Sequence, residues 1–172
     1  MSLLTVTVDD LRILPIREVA AICLRAAMRV QPLADSDCDE PFELAIKVLV
    51  GAESGTTLYE PVEILYQHAA RAAAKSRASK FEDIGRIANA GAVIHSAIDC
   101  IADMHRDEQA ALTNGMLALR SCSKLDDAVL SREVMQDFAR LKSNPRLAED
   151  STDPLFAFGP LWSDEQPDWY RV

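Results

Sequence analysis

The chain has 172 residues, 49% of them apolar, and a formal net charge of −9. This length fits one ordinary domain, which can fold without a disulfide or a metal because it buries enough surface. The apolar content argues against a disordered chain. The negative charge argues against nucleic acid as a partner, since binding to phosphates needs a positive field.

The four cysteines, Cys23, Cys38, Cys100 and Cys122, form no C-x-x-C pair. Three of them fall in helical patterns, so we expect reduced and mostly buried thiols in a cytoplasmic protein rather than a zinc site. The first residues lack the charged region and long apolar run of a signal peptide. No apolar run is long enough to cross a bilayer, and neither a cofactor nor a membrane contact is predicted.

Apolar residues recur at helical spacing along most of the chain, and polar residues mark where helices begin and end. Thr7 and Asp10 have the spacing of a capping box. Pro15 suits a helix start, or a kink after a short first turn. The helix that follows is expected to stop at Pro32.

Two further helices are predicted before residue 80. Asp39 suits the N-cap of the second helix, and Gly51 suits the position just after its end. The third helix contains "PVEILYQHAARAAAKSRA". Ser79 and Glu82 have capping-box spacing, so a fourth helix is expected to begin near residue 80 and to run antiparallel to the third.

The fourth helix has the clearest periodicity in the chain, a heptad seam that is expected to face a neighbouring helix in the core. The seam comprises Ile84, Ile87, Gly91, Ile94, Ile98, Ile101 and His105. Beyond it, "EQAALTNGMLALRSC" is helical in composition, but Asn114-Gly115 is a breaker pair that leaves its continuity open. A last amphipathic helix is predicted to end at Asn144-Pro145.

The chain from residue 144 onward is a polar, proline-punctuated tail that holds both tryptophans and five of the ten aromatic residues. Disordered tails are poor in aromatic residues, so we expect residues 144–172 to form an ordered strap on the helical bundle of residues 1–143. In one interpretation, apolar side chains of the strap fill grooves between helices. These side chains are Leu155, Phe156, Phe158, Leu161 and Trp162.

In the other interpretation the last segment of the strap, "DEQPDWYRV", is presented to a partner. Trp, Tyr and Arg are the residue types enriched at binding hot spots. Trp169, Tyr170 and Trp162 are therefore the predicted partner-binding residues. The two interpretations are compatible if Trp162 is docked and Trp169 is exposed.

A second candidate site lies between the third and fourth helices. An antiparallel turn near residue 80 would place Tyr66 level with His95. Asp99 and Asp103 follow His95 at four-residue intervals, so neighbours in this row share a helix face. A histidine with carboxylates can hold a divalent metal or carry out acid–base chemistry. A solvated acidic helix flank explains the same residues, and no Glu-x-x-His pair or H-E-x-x-H motif supports a metal.

The order of these pieces resembles a group of small, alanine-rich, all-helical bacterial proteins that includes immunity-type proteins of polymorphic toxin systems. The stretches that carry the resemblance are "LPIREVAAICLRAAMRVQPL", "DEPFELAIKVL" and "HAARAAAKSRA", which lie in roughly the first half of the chain. The resemblance is one of layout and composition. It implies binding of a partner protein without catalysis, and it assigns no residue roles.

The sequence therefore predicts an all-α, single-domain bundle of five to six helices with an extended, aromatic C-terminal strap. The expected function is a non-enzymatic protein–protein interaction module of the immunity or inhibitor type, whose acidic face suits a basic partner. The alternative is a small-molecule or metal-dependent helical enzyme with its site between the third and fourth helices. A homodimer is also compatible with the alanine-rich helices and the strap, and the sequence leaves the identity of the partner open.

Overall fold

The computed structural model describes residues 5–34, 38–52, 54–64, 67, 81–144, 146, 155–163 and 166–170. Their helices are α1 (Val8–Arg12), α2 (Ile16–Ala34), α3 (Asp39–Leu49), α4 (59–64), α5 (Phe81–Asp103), α6 (Glu108–Ser123) and α7 (Ala128–Ser143). Short 3-10 turns cover Gly55–Leu58, Phe156–Phe158 and Asp168–Tyr170. No strand occurs within these ranges, and the predicted all-α bundle is confirmed.

Helix α2 lies at the centre of the bundle and packs against α3, α5, α6 and α7. Most of its own residues are small or branched and apolar, among them Ala20, Ala21 and Val30, which have no exposed surface. A helix that is apolar on nearly every side is stable only where other elements cover it. Arg25 and Arg29 belong to the same buried helix, so their charged groups lie inside the protein.

The predicted start of the chain's helical part is confirmed. Thr7 and Asp10 form a complete capping box on α1, and α2 begins directly after Pro15. The prediction that Pro32 ends α2 was wrong, because the helix continues to Ala34. A proline in the last turn removes only one backbone hydrogen bond, so the helix can extend for two residues beyond it.

Helix α3 begins one residue earlier than predicted. Asp39 lies in the first turn, where its charge interacts favourably with the helix dipole, so the prediction that it is the N-cap was wrong. The prediction for Gly51 is confirmed. Gly51 has a φ of +75° and donates to the carbonyl of Val48 (3.0 Å), and Ala52 donates to the carbonyl of Lys47 (2.8 Å). This Schellman motif ends the helix where glycine tolerates the left-handed backbone.

Helix α5 packs its seam against α2 and α6, as the heptad spacing predicts. Ile94, Ile98 and Ile101 are at most 2% exposed. The prediction that His105 ends this seam was wrong, because α5 ends at Asp103 and His105 is exposed in the following turn. The predicted third helix is described over residues 59–64, and most of the rest of it, with the Ser79 cap, lies outside the described residues.

The breaker pair Asn114-Gly115 does not interrupt α6, which is continuous from Glu108 to Ser123. Gly115 is buried against α2 and α5. A Cβ atom added there would lie 3.0 Å from Cγ1 of Val19 and 3.4 Å from Sγ of Cys100. Close approach of three helices therefore explains a glycine inside this helix.

All four cysteines are free and buried, as expected. A hydrogen bond with Cys100 and burial raise the pKa of Cys23 well above its usual value, and burial raises the pKa of Cys122 to about 12. Thiols that are buried and hard to deprotonate are poor nucleophiles, and Cys23 and Cys122 are at most 1% exposed in the core. Within the described part of the chain, we find no helix with the length and apolar character of a membrane span.

Candidate functional site: the C-terminal strap and its groove

Residues 155–163 and 166–170 of the C-terminal strap lie on the helices, and several of their apolar side chains are buried. Leu155 is 4% exposed, Phe158 is 1% exposed and Trp162 is 8% exposed, and Leu161 is partly buried. The side chain of Phe156 is outside the described residues. The groove that receives the strap is formed by α2 and α7, and we call it the strap groove.

Arg25 of α2 binds the main chain of the strap from inside this groove. Its Nη1 atom donates to the carbonyl oxygens of Leu155 (2.7 Å) and Gly159 (3.1 Å). Its Nη2 atom donates to the carbonyl oxygen of Pro160 (2.8 Å). The Nε atom donates to Oδ2 of Asp137 on α7 (2.8 Å), so this one side chain joins both helices to the strap.

Two other arginines, Arg29 and Arg140, also donate to carbonyls of the strap and contact Asp137. Arg29 donates from Nε to the carbonyl of Leu161 (2.8 Å) and from Nη1 to Oδ2 of Asp137 (2.7 Å). Arg140 of α7 donates from Nη1 to the carbonyl of Phe158 and approaches Oδ1 of Asp137 at 3.5 Å. The strap backbone from residue 155 to residue 161 is therefore held by three guanidinium groups and one shared carboxylate.

These charged groups lie inside the protein, so their hydrogen-bond partners must also come from within it. Arg29 and Asp137 have fully buried side chains, and the Arg25 side chain is 2% exposed. Burial lowers the pKa of Arg25, and the hydrogen bond to Asp137 opposes that shift. One carboxylate faces two buried guanidinium groups, so most of their other donors depend on the strap carbonyls, although Nη2 of Arg29 has no partner among the described residues.

The far end of the strap groove carries a second carboxylate. Glu133 of α7 is 1% exposed and accepts hydrogen bonds from the backbone N–H (3.2 Å) and the hydroxyl (2.6 Å) of Ser163. Two cation–π contacts complete the groove. The guanidinium of Arg25 lies 5.3 Å from the ring centre of Phe158, and that of Arg29 lies 5.7 Å from the ring centre of Trp162.

Sequence reasoning missed these charged residues. Arg25 and Arg29 stand four residues apart within an apolar helix, and Glu133 and Asp137 have the same spacing on α7. Paired charges on an apolar face rarely remain buried unless they meet a partner. That spacing was the available signal, but it does not by itself show that the strap is the partner.

The three predicted partner-binding residues lie together at the end of the strap, and we call them the aromatic cluster. The ring centres of Trp162 and Tyr170 are 4.9 Å apart, and Trp169 lies 6.3 Å from Trp162 and 6.2 Å from Tyr170. All three pairs have the edge-to-face geometry that aromatic rings favour. Trp162 is buried, whereas Trp169 and Tyr170 are each partly exposed.

Asp127 anchors the aromatic cluster to the bundle. Its Oδ2 atom accepts a hydrogen bond from Nε1 of Trp169 (2.8 Å), and its Oδ1 atom accepts from the backbone N–H of Leu130 as the N-cap of α7 (2.9 Å). Trp169 is therefore joined to the N-terminus of α7, and the ring of Tyr170 packs beside it.

In the second candidate site, His95 and Asp99 contact each other, whereas Asp103 contacts other residues. Nδ1 of His95 lies 3.3 Å from Oδ2 of Asp99, and both side chains are partly exposed. Asp103 instead contacts Nη2 of Arg106 at 2.7 Å and accepts a 3.4 Å hydrogen bond from Asn114. Its two oxygens are thus occupied by a surface arginine and by α6. Tyr66, the remaining predicted member, lies outside the described residues.

The carboxyl of Asp99, on α5, is partly buried. Burial raises the pKa of Asp99, the nearby Asp103 raises it further, and His95 lowers it. Among the residues that the structure describes, no cluster of three or more His, Cys, Asp or Glu side chains has a geometry suited to a metal. Of the described residues predicted for this site, the geometry brings His95 and Asp99 together as a histidine–carboxylate pair.

No family model, curated protein or solved structure matches this chain. The function must therefore be argued from the strap, the aromatic cluster and the surfaces around them.

Proposed function

We propose that this protein is a non-enzymatic protein–protein interaction module that binds a basic partner protein through the aromatic cluster. An immunity- or inhibitor-type protein is the kind of module that would use such a surface. The observation that carries the proposal is the partly exposed pair Trp169 and Tyr170, which the docked strap and Asp127 hold in place.

The energetics of association favour such a surface. Trp and Tyr offer a large contact area, and each has only two side-chain torsions to fix on binding. Here much of that ordering is already present in the free protein, because the rings pack on each other and on Trp162. A preorganised aromatic surface binds more tightly than a flexible one, because less conformational entropy is lost.

The charge around the aromatic cluster indicates the chemistry of the partner. Asp168 precedes Trp169 in the chain and is exposed, and the exposed Asp126 precedes the anchoring Asp127. Acidic groups beside aromatic faces suit an arginine or lysine side chain, which can form a cation–π contact and a charge-assisted hydrogen bond together. The net charge of −9 would steer a basic protein to this surface.

The compartment is part of the same proposal. Four buried, free cysteines are typical of proteins in a reducing environment, which supports a cytoplasmic location for the module and its partner.

A site-specific crosslinking experiment tests the proposal. Tyr170 would be replaced by a photoreactive phenylalanine analogue in cells of the source organism, and Tyr59, which is 37% exposed elsewhere on the protein, would be replaced in a matched control. We expect a protein adduct from position 170 only. The crosslinked peptide should be rich in Lys or Arg, and the adduct should decrease at high salt.

The variant Trp169→Ala, Tyr170→Ala should lose the interaction of the crosslinked protein, while Tyr59→Ala should keep it. Equal adducts from positions 59 and 170, or no adduct from either, would contradict the proposal. A second copy of this chain as the adduct would show a homodimer in place of a different partner.

A further inference from the structure

A second surface of the molecule is lined by basic residues and suits an acidic partner, whereas the aromatic cluster suits a basic one. Helices α1 and α6 form a groove of about 300 Å³, which we call the α1–α6 groove. Its apolar part is made by Val8, Leu112, Met116 and Leu117, and its cationic part by Arg12 and Arg120. It shares no residue with the aromatic cluster.

The apolar part of this groove is accessible to a partner. Leu117 is 46% exposed although it lies in the middle of α6, whereas its neighbour Leu119 is 2% exposed. Single exposed leucines are common on protein surfaces. Leu117 differs from such residues because it lines a concave surface together with Met116 and two cations.

The positive charges of Arg12 and Arg120 form few ion pairs with acidic residues in the described part of the protein itself. Arg12 meets Asp9 at 3.4 Å, but both side chains are more than half exposed, so this pair is weak. No ion pair with Arg120 is found among the described residues. Arg12 and Arg120 both line the groove, which has no acidic residue among its described lining residues, and they define a local surface that attracts carboxylates.

We infer that the α1–α6 groove binds an acidic amphipathic helix of a partner protein. Apolar side chains of that helix would contact Leu117 and Met116, as in the general helix-in-groove mode of recognition. Its carboxylates would pair with Arg12 on one wall and Arg120 on the other. The proposal does not depend on the aromatic cluster, and it would make this protein a scaffold with two binding surfaces.

The test uses two synthetic helical peptides that share a leucine face and carry either glutamates or lysines on the opposite face. Each is titrated into the full, isotopically labelled chain and followed by amide chemical shifts, which detect weak binding. We expect the glutamate peptide to move the signals of Thr113 and Leu117, and to bind about tenfold or more tightly than the lysine peptide.

A charge-reversal variant sharpens the test. Arg12→Glu, Arg120→Glu changes two exposed side chains, and the variant should fold normally. It should prefer the lysine peptide, and Leu117→Ser should weaken both peptides. If the reversed variant unfolds, Arg12→Gln, Arg120→Gln replaces it and should lose the preference for glutamate.

Several results would overturn the inference. They are no shift changes around the groove with either peptide, equal affinity for both peptides, or an unchanged preference after charge reversal. Concentration-dependent self-association that Leu117→Ser abolishes would also overturn it, because the occupant would then be a second copy. Failure of the crosslinking test at Tyr170 would leave these outcomes unaffected, since the two surfaces are separate.

Discussion

The strap groove and the α1–α6 groove use similar residues for different purposes. Both combine apolar side chains with arginines, but Arg25 and Arg29 are buried whereas Arg12 is more than half exposed. A buried guanidinium depends on acceptors within the protein, and here Asp137 and the carbonyls of the strap supply most of them. An exposed guanidinium is satisfied by water and remains available to a partner. Burial, rather than residue type, separates the structural arginines from the proposed recognition arginines.

The strap is therefore a layer of the fold rather than an appended tail. Removing it would leave the donors of Arg25, Arg29 and Arg140 without their carbonyl acceptors, in a groove built around a single aspartate. The same comparison predicts that stability is sensitive to changes in the strap groove and tolerant of changes in the α1–α6 groove.

The largest expected effect is that of Asp137→Ala. The substitution leaves Arg25 and Arg29 buried without a counter-charge, and we expect it to lower the free energy of unfolding by about 3–5 kcal/mol. Asp9→Ala, which breaks the exposed pair with Arg12, should cost about 1 kcal/mol or less. Urea denaturation measures both. Equal costs would mean that burial does not separate the two grooves.

Two leucines of α6 give the next comparison. Leu119→Ala removes a buried side chain and should lower the free energy of unfolding by about 2–5 kcal/mol. Leu117→Ala removes an exposed one and should change it by less than about 0.5 kcal/mol. Thermal or urea unfolding of the two variants, side by side, provides the measurement. A large cost for Leu117 would place that side chain in the core and remove it as a docking residue.

A smaller effect is expected at the aromatic cluster. Trp169→Phe keeps a ring but removes the hydrogen bond to Asp127, which should cost about 1 kcal/mol of stability. Tyr170→Phe is the control, because its hydroxyl makes no hydrogen bond to any described residue, and it should be neutral within about 0.5 kcal/mol. Denaturant midpoints read by circular dichroism report both. If Trp169→Phe were as neutral as the control, Asp127 would not hold the cluster in place.

The smallest effect concerns α1, one wall of the α1–α6 groove. Hydrogen bonds from the hydroxyl and backbone of Thr7, and from Lys142, lower the pKa of Asp10 from 3.8 to about 2. Because the folded-state pKa is the lower one, this stabilisation is complete above pH 3.8 and is lost as the pH falls through about 2.

The amide shift of Thr7 should therefore titrate with a midpoint near pH 2, and the titration should vanish in Asp10→Asn. A midpoint at or above pH 3.8 would show that the capping box and the contact to Lys142 do not stabilise the carboxylate.

Local features of this fold were predictable from the sequence. The capping box of Thr7 and Asp10, the C-terminal glycine Gly51 and the end of α7 at Asn144 each depend on a few neighbouring residues. The docking of strap residues such as Phe158 was also predictable, since apolar rings favour burial. The prediction for Pro32 was wrong because the free-energy cost of a proline depends on its position within the helix. The sequence does not show where the helix ends.

The network in the strap groove could not be predicted in the same way. Arg25 and Asp137 are 112 residues apart in the chain, and their pairing depends on how α2 and α7 pack. The breaker pair at Gly115 shows the same limitation, because the reason for the glycine is its contact with Val19 on another helix. Of the candidate site, the aromatic residues were found from composition, but the residues that hold them in place were not.

One measurement tests most directly the claim that the strap belongs to the core. Both tryptophans of the chain, Trp162 and Trp169, lie in the strap, so tryptophan fluorescence reports its docking while circular dichroism at the helical band reports the bundle. We predict that urea unfolding curves from the two signals coincide, as in one cooperative transition. A fluorescence transition that is complete before the helices unfold would contradict the account, because the strap would then detach from an intact bundle.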